Sequence, residues 1–282
     1  MHTLLISSEE LKNHYTDPNW VVVDCRFSLA DTEAGRRAYS QAHIPSARYA
    51  HLDEQLSGTV VPGKTGRHPL PAVRDLEALF SAWGIGAQTQ VVAYDDMGGA
   101  MAARLWWLLR WLGHDAVAVL DGGYPDWVAR GLPTEATAPT PHPARFEAQL
   151  QAQCWMNSAD VRAVLGHPEY LVVDSRAPER FRGEVEPIDP VAGHIPGAAN
   201  LPHFSNIGAD GHFLPIPLLQ QKLEALLAGR HPERTIFYCG SGVTAAHNVL
   251  AMEIAGLHGA KIYAGSWSEW ITNPANPVEQ GG

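Results

Sequence analysis

One series of short motifs occurs twice in this chain, in the same order. Trp20-Val21-Val22-Val23-Asp24-Cys25-Arg26 is answered by Tyr170-Leu171-Val172-Val173-Asp174-Ser175-Arg176. Ser8-Glu9-Glu10-Leu11 precedes the first block and Ser158-Ala159-Asp160-Val161 the second, at the same offset. His43-Ile44-Pro45 returns as His194-Ile195-Pro196, and Val91-Val92-Ala93-Tyr94-Asp95 as Thr235-Ile236-Phe237-Tyr238-Cys239. Gly122-Gly123-Tyr124-Pro125-Asp126-Trp127 matches Gly265-Ser266-Trp267-Ser268-Glu269-Trp270. A chain built this way must fold as two copies of one architecture.

Each copy alternates two kinds of signal. The runs at 20–24, 91–94, 117–120, 170–174 and 235–238 are short, apolar and mostly β-branched, as strands buried on both faces require. Helical periodicity appears over 74–83, 99–112, 217–228 and 243–256, and Ser8 and Ser158 stand where helix N-caps belong. Strands alternating with helices specify an α/β fold, a parallel sheet flanked by helices, made twice in tandem. The expected domains are 1–134 and 154–282. Between them 135–153 is expected as a linker, with the proline-rich stretch Pro133–Pro143 extended.

Length and composition agree with this reading. The chain has 282 residues, enough for two such domains. Its net charge is −10 and no Lys/Arg cluster appears, so nucleic acid is not an expected partner; the longest apolar run is too short to span a bilayer, so no membrane is expected either. A small anionic substrate would therefore need positive groups concentrated locally. The three cysteines, Cys25, Cys154 and Cys239, cannot form a disulfide framework and suit a reducing compartment, so the expected location is the cytoplasm. The first residues lack a basic region and a long apolar run, so no secretory signal is expected.

Cys239 stands apart from the other two. It follows the strand run Thr235–Tyr238 and precedes Gly240-Ser241-Gly242-Val243-Thr244-Ala245, after which a helix begins. Ligand sites in open α/β sheets lie at the carboxyl ends of strands. A glycine-containing turn can point backbone N–H groups inward as an anion nest, and a helix N-terminus adds partial positive charge. Both favour a thiolate. Cys25 and Cys154 lack such a loop and read as small buried apolar residues. In the first copy Asp95 takes the place of Cys239, so one copy is catalytic and the other structural.

These motifs resemble the two-domain rhodanese family, over nearly the whole chain. The resemblance rests on both Asp-x-Arg strands, both His-Ile-Pro blocks, the Cys239–Ala245 loop and the Gly265–Trp270 block. It implies two rhodanese-like domains, with the active cysteine in the second. Within the family the uncharged Gly240-Ser241-Gly242 loop looks most like the 3-mercaptopyruvate sulfurtransferases; thiosulfate-preferring members carry basic residues there. That branch implies a relay from Ser241 through His68 to Asp53, with Asp75 as another candidate for the carboxylate. It also implies that Arg180 holds the substrate anion, with the loop residues Gly240, Gly242, Val243 and Thr244 around the sulfur. A second arginine of the branch is replaced here by Asp189, so that Arg182 or a first-domain arginine would have to substitute.

The expected activity is transfer of a sulfane sulfur from a small anionic donor, 3-mercaptopyruvate, through a Cys239 persulfide. The acceptor would be a thiol or cyanide, with thioredoxin a candidate, and no metal or organic cofactor is required. The alternative is thiosulfate as donor, with the same persulfide. Phosphatase chemistry needs an arginine six positions after the cysteine, where Ala245 stands. A non-catalytic binding or sulfur-relay module is a further alternative, but an inactive copy would be expected to lose its cysteine, and Cys239 is retained. His43 and His194 occur in both copies and read as structural, and Trp106, Trp107 and Trp111 read as core.

Overall fold

The computed structural model describes residues 1–282 and divides into two compact units. Unit 1 comprises residues 1–58, 71–151 and 207–213; unit 2 comprises 59–70, 152–206 and 214–282. Each unit is thus completed by a short segment from the opposite half of the sequence.

Unit 1 runs β1 (Leu5–Ile6), α1 (Ser8–Leu11), β2 (Trp20–Asp24), α2 (Ala34–Gln41), β3 (Arg48–Tyr49), α3 (Val73–Ala82), β4 (Gln90–Tyr94), α4 (Ala102–Trp111), β5 (Val117–Leu120) and α5 (Gly123–Ala129). Unit 2 repeats the order: β6 (Trp155–Met156), α6 (Ser158–Val164), β7 (Leu171–Asp174), α7 (Pro178–Phe181), β8 (Ala199–Asn200), α8 (Ile216–Leu227), β9 (Thr235–Tyr238), α9 (Ala245–Ile254), β10 (Lys261–Tyr263) and α10 (Ser266–Trp270). The sheets have the orders β1-β5-β4-β2-β3 and β6-β10-β9-β7-β8, which are the same topology, and every pairing is parallel. The α/β tandem architecture expected from the sequence is therefore present.

The repeated Asp-x-Arg motif has the same task in both units. Asp24 ends β2 and takes a forked ion pair from Arg26, with Nη2 at 2.6 Å; Asp174 and Arg176 repeat this at 2.6 Å. Arg26 continues to the Ala42 carbonyl and Arg176 to the Gly193 carbonyl, tying the strand end to the stretch before each His-Ile-Pro block. Breaking such a buried pair by removing one partner typically costs about 3–5 kcal/mol. His43 stacks on Tyr39 and pairs its Nδ1 with the Tyr39 carbonyl, and His194 does the same with Phe181. Both histidines are structural in these surroundings, and Trp106, Trp107 and Trp111 are buried.

The helix starts differ by one residue from the sequence reading. The N-caps are Ser7, which accepts from the Glu10 N–H, and Asn157, which forms a capping box with Asp160. Ser8 is buried one step inside α1, where its hydroxyl donates to Asp126 at 2.6 Å. A serine hydroxyl satisfied by a distant carboxylate looks, in sequence, identical to one that caps its own helix. Residues of the stretch expected as a linker lie along unit 1: the Ala144 N–H bonds to the Ser81 carbonyl, Phe146 is buried, and the Gln149 and Gln151 N–H groups bond to Leu112 and Trp111.

Register brings the two central strand pairs to matching ends. Asp24 lies beside Tyr94 on β4, and Asp174 beside Tyr238 on β9. The next residues, Asp95 and Cys239, therefore leave equivalent strand ends.

Candidate active site

In unit 2 the chain leaves β9 at Tyr238 and turns through residues 239–244 into α9. Gly242 makes the turn possible. Its φ is +80°, and a Cβ there would stand 2.1 Å from the Ala264 carbonyl oxygen. The strand end is held from the other side by the start of α10. The Cys239 N–H donates to the Ser266 hydroxyl at 3.0 Å, and Ser266 Oγ donates to the Tyr263 carbonyl. The Trp267 and Ser268 N–H groups bond to the Cys239 and Gly240 carbonyls. Ser266 adopts φ +56°, a conformation that costs an L-residue about 1–2 kcal/mol, at the position matched in unit 1 by Gly123 with φ +59°.

The resulting loop surrounds the cysteine sulfur with donors. The Gly242 N–H reaches Cys239 Sγ at 3.1 Å. Burial by itself would raise the pKa of this thiol. The Thr244 hydroxyl and the N–H groups of Ser241, Ala245 and Gly242 outweigh it, and the pKa falls below the ordinary cysteine value. Cys25 has no such cradle. Burial, then the carboxylates of Asp24 and Asp95, push its pKa well up. Cys154 is partly exposed, in the short turn before β6. Cys239, unlike Cys25, joins a depressed pKa to a loop of inward N–H groups.

The segment 59–70 belongs to unit 2 and carries His68. Its Nδ1 lies 2.7 Å from Ser241 Oγ, and both side chains are buried. Ser241 thus presents its N–H toward the sulfur and its hydroxyl toward an imidazole, an arrangement that can relay a proton. Asp53 sits in an exposed turn of unit 1 after β3, and Asp75 is in the first turn of α3.

Arg180 lies at the end of α7. Its guanidinium is bound by Glu186, with Nη2 to Oε1 at 2.7 Å, and by Asp189 at 3.2 Å. The neighbouring acids Glu179 and Glu184, its obvious partners by sequence distance, are not the ones that hold it. Arg182 is occupied instead with Glu184 on the surface, facing solvent. A residue that the sequence did not single out completes the group: Arg67, next to His68, is ion-paired through Nη1 with Asp189. Val243 is buried, and Thr244 is the residue at which α9 begins.

Unit 1 uses the equivalent loop differently. The Asp95 carboxylate is fully buried and accepts four backbone N–H groups, from Met97, Gly99, Met101 and Ala102, at 2.7–2.9 Å. The nest there is filled by a side chain of the protein itself.

The rhodanese-like domain model matches residues 7–130 and 157–273. A Pseudomonas aeruginosa protein bearing the name "Probable 3-mercaptopyruvate sulfurtransferase" is 48% identical over 278 residues, 98% of either chain. A Mycobacterium tuberculosis protein bearing the name "Putative thiosulfate sulfurtransferase SseB" is 40% identical over 266 residues, 92% of this chain and 90% of its own. The structure of 3-mercaptopyruvate sulfurtransferase from Leishmania major superposes with a TM-score of 0.83 at 31% identity, over 95% of this chain and 74% of that one. Two domain matches and full-length relatives of this closeness place the chain in the two-domain rhodanese family, as a sulfurtransferase.

Proposed function

We propose that the protein takes a sulfur atom from 3-mercaptopyruvate onto Cys239 and passes it, as a persulfide, to a thiol or cyanide. The observation that carries this is the depressed pKa of a buried cysteine in a nest of N–H donors. The Cys239 thiolate attacks the donor's sulfur. The S–S bond forms as the donor's C–S bond breaks, and the electron pair leaves on carbon as the enolate of pyruvate. That enolate must gain a proton. Ser241, 2.7 Å from His68, is placed to deliver it, with Asp53 proposed as the carboxylate behind the imidazole. Arg180 holds the donor's carboxylate, and the N–H groups of Gly242 and its neighbours hold the persulfide anion. The acceptor then attacks the outer sulfur, and the cysteine thiolate departs. A protein thiol such as that of thioredoxin is a suitable acceptor. Three cysteines without disulfides fit a reducing compartment, and we place the enzyme in the cytoplasm on that ground. No helix is long and apolar enough to cross a membrane.

Thiosulfate as preferred donor is a second reading, favoured by the Mycobacterium tuberculosis relative. It requires no proton at the leaving group, since sulfite departs as an anion. One set of measurements tests both. Intact-mass spectrometry after donor treatment should show about 32 Da, one sulfur atom, added at Cys239. Cys239→Ser should abolish it, while Cys25→Ser and Cys154→Ser should retain it. Sulfur mapped to either of the other cysteines would sink the assignment. In the parent enzyme kcat/KM should be higher for mercaptopyruvate, and His68→Ala should harm that reaction more than the thiosulfate one. The reverse order of donors would replace the first reading with the second.

A further inference from the structure

Charged side chains beside the cysteine loop form an alternating series. Arg176 pairs with Glu186 at 3.2 Å, Glu186 with Arg180 at 2.7 Å, Arg180 with Asp189 at 3.2 Å, and Asp189 with Arg67. Arg67 is the last cation in the series. Its main-chain N–H is fixed by the Ser268 hydroxyl at 3.1 Å, so the residue is anchored to the same helix start that holds the cysteine loop.

The guanidinium of Arg67 is only partly used. Nη1 is taken by Asp189, and Nε is buried without a hydrogen-bond partner. Nη2 is aimed at the loop. A Cβ built on Gly240 would meet Arg67 Nη2 at 2.7 Å, and the two terminal nitrogens of Arg180 at 3.7 Å each. Two guanidiniums therefore converge on the space over Gly240, one residue from the sulfur nucleophile. Gly240 is not at positive φ. Its missing side chain makes room for these guanidiniums rather than permitting a turn.

We propose that Arg67 is a second donor-binding residue, gripping the donor's anionic group together with Arg180, and that Asp189 is its positioning residue. Asp189 also sets the charge of the grip. Arg67, Arg180 and Arg176 face Glu186, Asp189 and Asp174, three cations against three anions. Forked guanidinium donors remain available to a ligand, but the background is balanced. Such a site accepts a monocarboxylate without concentrating dianions. The proposal rests on the sulfur-transfer reading of Cys239 and narrows its donor specificity.

Steady-state kinetics of the full chain with 3-mercaptopyruvate and with thiosulfate, cyanide as acceptor, test this. Arg67→Gln should lower kcat/KM for mercaptopyruvate by about tenfold to a hundredfold, mostly through KM. Arg67→Lys should restore part of the loss, because it returns the charge without the fork. Asp189→Asn should raise the ratio of thiosulfate to mercaptopyruvate kcat/KM by roughly five- to tenfold, since one negative charge leaves the neighbourhood of a dianion. If Arg67 merely anchors its segment, Gln and Lys will behave alike, and KM for both donors will stay within about twofold of the parent value. That result overturns the proposal, as does an unchanged donor ratio in Asp189→Asn. Parent enzyme that takes up no sulfur on Cys239 would overturn the sulfur-transfer reading as well. Uptake by the parent with unaltered Arg67→Gln kinetics would overturn the role of Arg67 alone.

Discussion

At the scale of single residues, two buried cysteines of one sequence, Cys239 and Cys25, have opposite chemistries. Cys239 and Cys25 are both buried at strand ends, yet burial is opposed by hydrogen-bond donors at one and reinforced by carboxylates at the other. The sign for reactivity follows. A lowered thiol pKa leaves more thiolate at neutral pH, and reactivity is lost as pH falls through that lowered value. Alkylation of Cys239 by iodoacetamide, followed by mass spectrometry from pH 5 to 9, should therefore have its midpoint below the ordinary value of about 8.5. Cys25 should stay unmodified across that range. A midpoint for Cys239 at or above the ordinary value would contradict the hydrogen-bonded thiolate. The sequence made Cys239 legible because its glycine loop is local. Arg67 was illegible because its partners, Asp189 and Ser268, are more than a hundred positions away. Its signals were the expectation that a first-domain arginine would substitute for the one missing at Asp189, which named no position, and adjacency to His68, whose own interest came from a family resemblance.

At the scale of elements, the cysteine loop is a strand end, a tight turn and a helix start, braced by a second helix start. Gly242 is the position at which that bracing leaves no room. Gly242→Ala combines an unfavourable positive φ with a Cβ 2.1 Å from the Ala264 carbonyl oxygen. Gly197 also has positive φ, but a Cβ there would meet nothing within 4 Å. Gly197→Ala should therefore cost only the conformational term, about 1–2 kcal/mol, and leave sulfur uptake intact. Gly242→Ala should lower the thermal midpoint further and reduce persulfide formation at least a hundredfold, because the Gly242 N–H is itself a donor to the sulfur. Equal melting and equal sulfur loading of the two variants would refute the bracing. Strands β2, β4, β5, β7 and β9 and helices α3, α4, α8 and α9 were readable from apolar runs and periodicity to within a few residues, whereas the short strands β1, β3, β6, β8 and β10 were not. The helix caps were not, since Ser8 spends its hydroxyl on Asp126 and the neighbouring Ser7 does the capping. Ser266 was equally hidden: nothing in a Gly-Ser-Trp string announces a positive φ.

At the scale of the whole molecule, one topology has been used twice, with the roles of the two loops divided. The sheet orders are the same, and Asp95 and Cys239 leave the same end of the same strand. Duplication was legible because motif order survives sequence divergence. The allocation of residues 59–70 to unit 2 and 207–213 to unit 1 was not, since a short irregular segment carries no periodicity to show which core it joins. That allocation matters chemically, because 59–70 brings both Arg67 and His68 into the unit that holds the cysteine.

The filled nest of unit 1 also says something about the other loop's life cycle. Counted along covalent bonds, an aspartate oxygen is three bonds from Cα, and so is the outer sulfur of a cysteine persulfide. Asp95 is thus a permanent, sulfur-free portrait of the charged enzyme: an anion on a tether of the right length, bonded to four N–H groups. The empty-handed cysteine has a shorter tether and one acceptor atom among its donors. On the proposed sulfur-transfer reading, the form the fold suits best is the loaded one, and the enzyme should rest and keep with its cargo aboard. Donor-treated protein, freed of excess donor, should melt at a higher temperature than the same protein stripped by cyanide, and Cys239→Ser should show no such difference. A stripped form as heat-resistant as the loaded one would show that the likeness between the two nests ends at their backbones.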